Sequence, residues 1–155
     1  MLDMMIKRKR ERRHTEDRYL ALVLATSAGL LNAMALGAFG IFPSHMSGNT
    51  SQLSSEVSSV DIRDMTFLLA MIVAFVIGCI SARLLVIVGI RNNIRTIFSL
   101  ILLMEGMLLM VMASFELLYY SSANNREALV FLGFLMGIHN ATSTQLSNAV
   151  SYTHL

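Results

Sequence analysis

The stretch GLLNAMALGAFGIFPSHMSGNT, residues 29–50, decides how the chain is read. Its first half sets Gly29, Ala33, Gly37 and Gly40 among aliphatic side chains, the composition of a membrane-spanning helix that lets a neighbour approach closely. Its second half turns polar. Pro43 lacks a backbone donor and discourages further helix. The following SHMSGNTSQLSS, residues 44–55, is rich in side chains that bond their own backbone, so it predicts an irregular segment. A shorter echo comes later, as GIHNA at residues 137–141 and YTHL at 152–155.

Bulk composition points the same way. The chain of 155 residues is 55% hydrophobic and only 14% charged, whereas soluble domains carry about 25% charged residues. Of its twelve Lys and Arg, seven (Lys7, Arg8, Lys9, Arg10, Arg12, Arg13 and Arg18) precede the first apolar run. Beside a spanning helix, that cluster reads as a cytoplasmic anchor in contact with the lipid bilayer, not as a nucleic-acid patch. Residues 1–18 form a basic leader and residues 19–155 a transmembrane domain.

The domain divides into spans at about residues 19–42, 65–89, 97–118 and 128–150, each long enough for a hydrocarbon core of about 30 Å. The first is broken up by Ser27, Gly29, Asn32, Gly37 and Gly40, which predicts a central helix with its small face against protein. The loop after residue 89 carries Arg91 and Arg95 and is read as cytoplasmic. The loops at 43–64 and 119–127 carry only Arg63 and Arg126 and are read as external. Tyr119 and Tyr120 close the third span as interfacial anchors. The N-terminus is therefore expected inside, with four crossings.

Sliding the chain on itself by 108 residues lays Gly29 on Gly137, Asn32 on Asn140 and Ala33 on Ala141. The two copies begin three spans apart, so they cross in opposite senses. That is the pattern of an inverted-topology repeat, found in secondary transporters whose sites form at interrupted helices. Chance matching in a Gly- and Ala-rich membrane protein is the other reading.

At these residues the chain resembles the YoaK-like family of bacterial multi-pass membrane proteins, a domain of unknown function. The likeness rests on Gly29-Leu30-Leu31-Asn32-Ala33, then Met46-Ser47-Gly48-Asn49-Thr50, then Met136-Gly137-Ile138-His139-Asn140-Ala141, and on Thr153-His154-Leu155, which matches the opening of a further element. It implies an all-α polytopic transmembrane helix bundle in a bacterial inner membrane, with four spans here out of six in a 3+3 arrangement. The family usually has Asp where Asn32 stands and Gln where His139 stands. The resemblance also implies that the chain is a C-terminally truncated piece, whose unsatisfied packing faces would favour a homo-oligomer.

The residues expected to bind a small solute or ion are Asn32, His45, Ser47, Gly48, Asn49, Thr50, Glu105, His139 and Asn140. Asn32 and Asn140 serve either a substrate or interhelical hydrogen bonds. The 45–50 segment either lines a cavity with its backbone or is an external loop. Glu105, deep in a span, either pairs with Arg83 or carries a proton. His139 reads more naturally as a hydrogen-bonded helix residue than as a ligand.

The four histidines and the lone Cys79 do not converge in sequence on a metal site. The twelve methionines read as adaptable packing. No nucleophile–base order, phosphate loop, HExxH or CxxC is present, so neither an enzyme nor a cofactor is expected. A non-transporting membrane scaffold or regulatory subunit, in which the polar motifs only lock helices together, is the rival to transport.

Overall fold

A computed structural model describes residues 14–59, 62–94, 96–119 and 125–151. They form five helices: α1 (His14–Phe39), α2 (Met46–Ser59), α3 (Ile62–Arg91), α4 (Ile97–Tyr119) and α5 (Asn125–Ser151). The fold is all-α, as expected. The basic leader through residue 13, the side chains of Tyr119 and Tyr120, and the 152–155 element lie outside what the structure describes.

Three segments are long and apolar enough to cross a membrane: Leu22–Phe39, Ile62–Arg91 and Ile97–Leu118. At about 1.5 Å per residue, α3 alone is about 45 Å long and exceeds a hydrocarbon core of about 30 Å. Helix α5 is as long as the others but is less apolar, because its second half reads HNATSTQLSN.

The core sits between α3, α4 and α5, where Ala82, Val86, Ile101, Leu135 and Ile138 form one buried cluster. Helices α3 and α5 run parallel, from Asp64 beside Arg126 at one end to Arg83 beside Gln145 toward the other. Between those points their backbones nearly touch. A Cβ on Gly78 would overlap the Phe134 carbonyl oxygen, and one on Gly137 would overlap that of Phe75. The Cys79 thiol donates to the Gly137 carbonyl oxygen at 3.4 Å, directly across the same seam. Only residues without a side chain permit that approach, which brings van der Waals contact along two main chains.

Two turns shape the rest. Helix α1 stops at Phe39, short of the expected 42, because Gly40 adopts φ +75° and turns the chain out of the helix. Helix α3 ends in a Schellman arrangement, with Asn93 left-handed at φ 57°, Asn93 N–H on the Ile90 carbonyl and Ile94 N–H on that of Gly89.

Two expectations are corrected. Residues 44–55 are not an irregular segment, since α2 begins at Met46 and packs on α3. Thr50 Oγ1 donates to the Met46 carbonyl at 2.7 Å and Asn49 Nδ2 to the Phe42 carbonyl at 3.1 Å. The polar side chains thus satisfy backbone groups without displacing the helix.

The first helix is also not central. Among the described residues, α1 packs on α5 and on no other helix. A Cβ at Gly29 or Gly37 would meet nothing within 4 Å, and Leu30 and Met34 are 60% and 63% exposed. The helices that hold the others are α3 and α5.

Candidate functional site

Among the expected residues, the structure brings together Glu105 and His139. Both lie on faces turned into the bundle, 3% and 7% exposed. His139 Nδ1 is 3.0 Å from Glu105 Oε1, and its Nε2 is 3.2 Å from the Leu24 carbonyl oxygen of α1. One imidazole therefore ties α5 to both α4 and α1. The same Leu24 carbonyl accepts from Ser27 Oγ at 2.9 Å.

A carbonyl oxygen can only accept, so the contact to Leu24 places a hydrogen on Nε2. Nδ1 and Oε1 then need one further proton between them. Either an imidazolium donates to a carboxylate, or a carboxylic acid donates to a neutral imidazole. In both forms the pair carries no net charge, which suits its burial.

Three buried oxygens among the described residues lack a partner: Glu105 Oε2 of the pair itself, Thr142 Oγ1 and Ser143 Oγ. Thr142 and Ser143 stand three and four residues after His139, so they share its face of α5. Together these groups make a polar centre within a bundle whose other buried side chains are mostly apolar.

The remaining expected residues lie elsewhere. Asn32 is half-buried and joins the turn after α1, with Nδ2 2.6 Å from Ser44 Oγ and Oδ1 accepting the Ser44 N–H at 3.2 Å. Asn49 is buried and caps that turn. His45 packs edge-on against Phe42, with ring centroids 6.2 Å apart, and leaves no room for a side chain at Gly48. Ser47 and Thr50 are exposed on α2. This motif builds a helix start.

Asn140 faces outward, so Asn32 and Asn140 do not meet. The anticipated Glu105–Arg83 pair is absent as well. Arg83 is exposed and donates to Gln145 Oε1 at 3.1 Å, while Glu105 turns to His139.

Sequence reasoning missed Thr142, Ser143 and the α3–α5 seam. The spacing of the two hydroxyls from a buried histidine signalled the first pair, and the Gly133-Phe134-Leu135-Met136-Gly137 pattern signalled the seam.

Two hollows lie away from this centre. The larger, about 900 Å³, is an apolar groove open sideways between α3 and α5, lined by Phe67, Phe131 and Phe134, with Arg126 at its rim. In a bilayer such walls face hydrocarbon chains. The smaller, about 300 Å³, has Gln52, Asp64 and Arg126 among its lining residues. There Arg126 is ion-paired with Asp64 and lies 5.3 Å from the centre of the Phe67 ring. Among the described residues no group of three or more His, Cys, Asp or Glu gathers to hold a metal.

Three helices long and apolar enough to cross a membrane, with a buried ionisable pair among the helices, define a membrane-like helical protein. The chain belongs to the family described as a protein of unknown function (DUF1275), whose model matches residues 20–155. No curated protein matches it, and no solved structure does.

Proposed function

We propose that the protein binds or moves a small solute or ion across the membrane at the centre built by His139, Glu105, Thr142 and Ser143. The observation that carries this reading is the Glu105–His139 pair with its unpartnered carboxyl oxygen, buried where ionisable groups are costly and usually functional. In this reading α5 is the fourth span, with its polar half facing the bundle. In the same reading the N-terminus lies on the cytoplasmic side of a bacterial inner membrane, which the basic leader and the YoaK-like resemblance support. The Gly-x-x-Asn-Ala elements of α1 and α5 belong to oppositely oriented repeats. No catalytic step, cofactor or nucleic acid enters.

The test uses a Cys79→Ser background, which removes the sole cysteine, with Thr142→Cys as the reporter. Thr142 is fully buried, so a transport path requires a state in which water reaches it. Labelling of position 142 by a membrane-impermeant thiol reagent from one or both faces is expected. Complete protection from both faces, with the helices intact, rejects transport and leaves the scaffold reading. Cysteines placed at Met46 and Thr153 are expected to label from opposite faces; labelling from one face alone rejects the inverted arrangement.

A further inference from the structure

We infer that the Glu105–His139 pair is a proton-binding site, whose single shared proton holds α4 and α5 together at the polar centre. The inference rests on the transport reading in that it names the ion this centre takes. Its ground is the hydrogen-bond arithmetic. The Leu24 carbonyl fixes a hydrogen on Nε2, and the 3.0 Å contact between Nδ1 and Oε1 requires one more.

Releasing that proton breaks the N–H or O–H bond inside the pair and passes the proton to water as hydronium. A lone pair on Nδ1 then faces a carboxylate, and the site gains a full negative charge in surroundings of low dielectric. Neither can stay at 3.0 Å, so α4 and α5 part there until a proton returns.

The surroundings leave this proton to the pair. Helix α1 brings no ionisable side chain from Leu20 to Phe39, only the Leu24 carbonyl. On α3, Arg83 is bonded to Gln145 and Cys79 to the Gly137 carbonyl. On α4, Glu116 stands eleven residues beyond Glu105, about 16 Å along the helix. On α5, Glu127 lies twelve residues before His139, about 18 Å away. The unpartnered Glu105 Oε2 and the Thr142 and Ser143 hydroxyls offer a polar lining through which the proton reaches the pair.

The experiment is a pH titration of the full chain, labelled with ¹⁵N-histidine and held in lipid nanodiscs, with His139→Gln assigning the signal. Nε2 is expected to stay protonated throughout while Nδ1 reports the gain and loss of one proton. Glu105→Gln is expected to move that midpoint by about one pH unit or more, a tenfold change in proton affinity. Glu105→Asp is expected to keep a coupled titration. The inference is overturned if wild-type Nδ1 is silent over the pH range in which the helices persist, or if Glu105→Gln and Glu105→Asp both leave the midpoint in place. A coupled titration in a protein whose position 142 never meets water keeps the proton site and rejects transport. A silent Nδ1 with water reaching position 142 does the reverse.

Discussion

At the scale of residues, the two asparagines that align in sequence have opposite fates. Asn32 makes two contacts with Ser44, whereas the Asn140 side chain points outward. Asn32→Ala is therefore expected to cost about 1–2 kcal/mol, because it also strands the Ser44 N–H. Asn140→Ala is expected to stay within about 0.5 kcal/mol of the parent. Thermal unfolding in detergent measures both, and equal losses contradict the assignment. Glu105→Ala is expected to cost more, about 3–5 kcal/mol, since it leaves a buried imidazole without its partner. A loss under about 1 kcal/mol in the same assay means that the imidazole finds another partner. That Glu105 falls well inside an apolar run was legible in the sequence. Direction around the helix was not. One residue of rotation, about 100°, separates inward His139 from outward Asn140, and only packing on α1 and α4 selects between them.

At the scale of elements, the seam between α3 and α5 makes the sharpest demand. Gly78→Ala and Gly137→Ala each place a methyl group on a backbone oxygen and force the helices apart. Each is expected to lose about 1–3 kcal/mol, the range for overpacking a tight contact. Gly106→Ala, with nothing within 4 Å of its Cβ, is the matched control and is expected to be neutral or slightly stabilising. Thermal unfolding that ranks Gly106→Ala with the other two removes the seam from the account. Helix positions were readable from apolar runs, whereas the ends set by Gly40 and Asn93 were not. Helix α2 was not, because Ser, Asn, Gly and Thr favour turns in isolation. Here Thr50 and Asn49 spend their side chains on nearby carbonyls, and packing on α3 decides the conformation.

At the scale of the whole molecule, two parallel helices form the frame, and α1, α2 and α4 are laid against it. The sequence placed weight on α1 because its small residues resemble an interface. In the structure Gly29 and Gly37 face outward, and the glycines that matter sit at 78 and 137. The protein is expected to stay with the membrane fraction after alkaline carbonate washing, as a chain with three apolar spans should. Release into the supernatant contradicts this reading.

The polar second half of α5 also bears on how the protein is made. Residues 139–148 are poorly suited to enter hydrocarbon alone, and Glu105 enters with α4 at a cost comparable to the ~2.5–3.5 kcal/mol for a charged residue at a helix centre. Each is acceptable once the other is present. His139 stands 34 residues after Glu105, so α4 is made with its carboxyl group unmatched before that imidazole exists. A chain interrupted in that interval leaves Glu105 in an apolar helix without the imidazole that partners it in the folded protein.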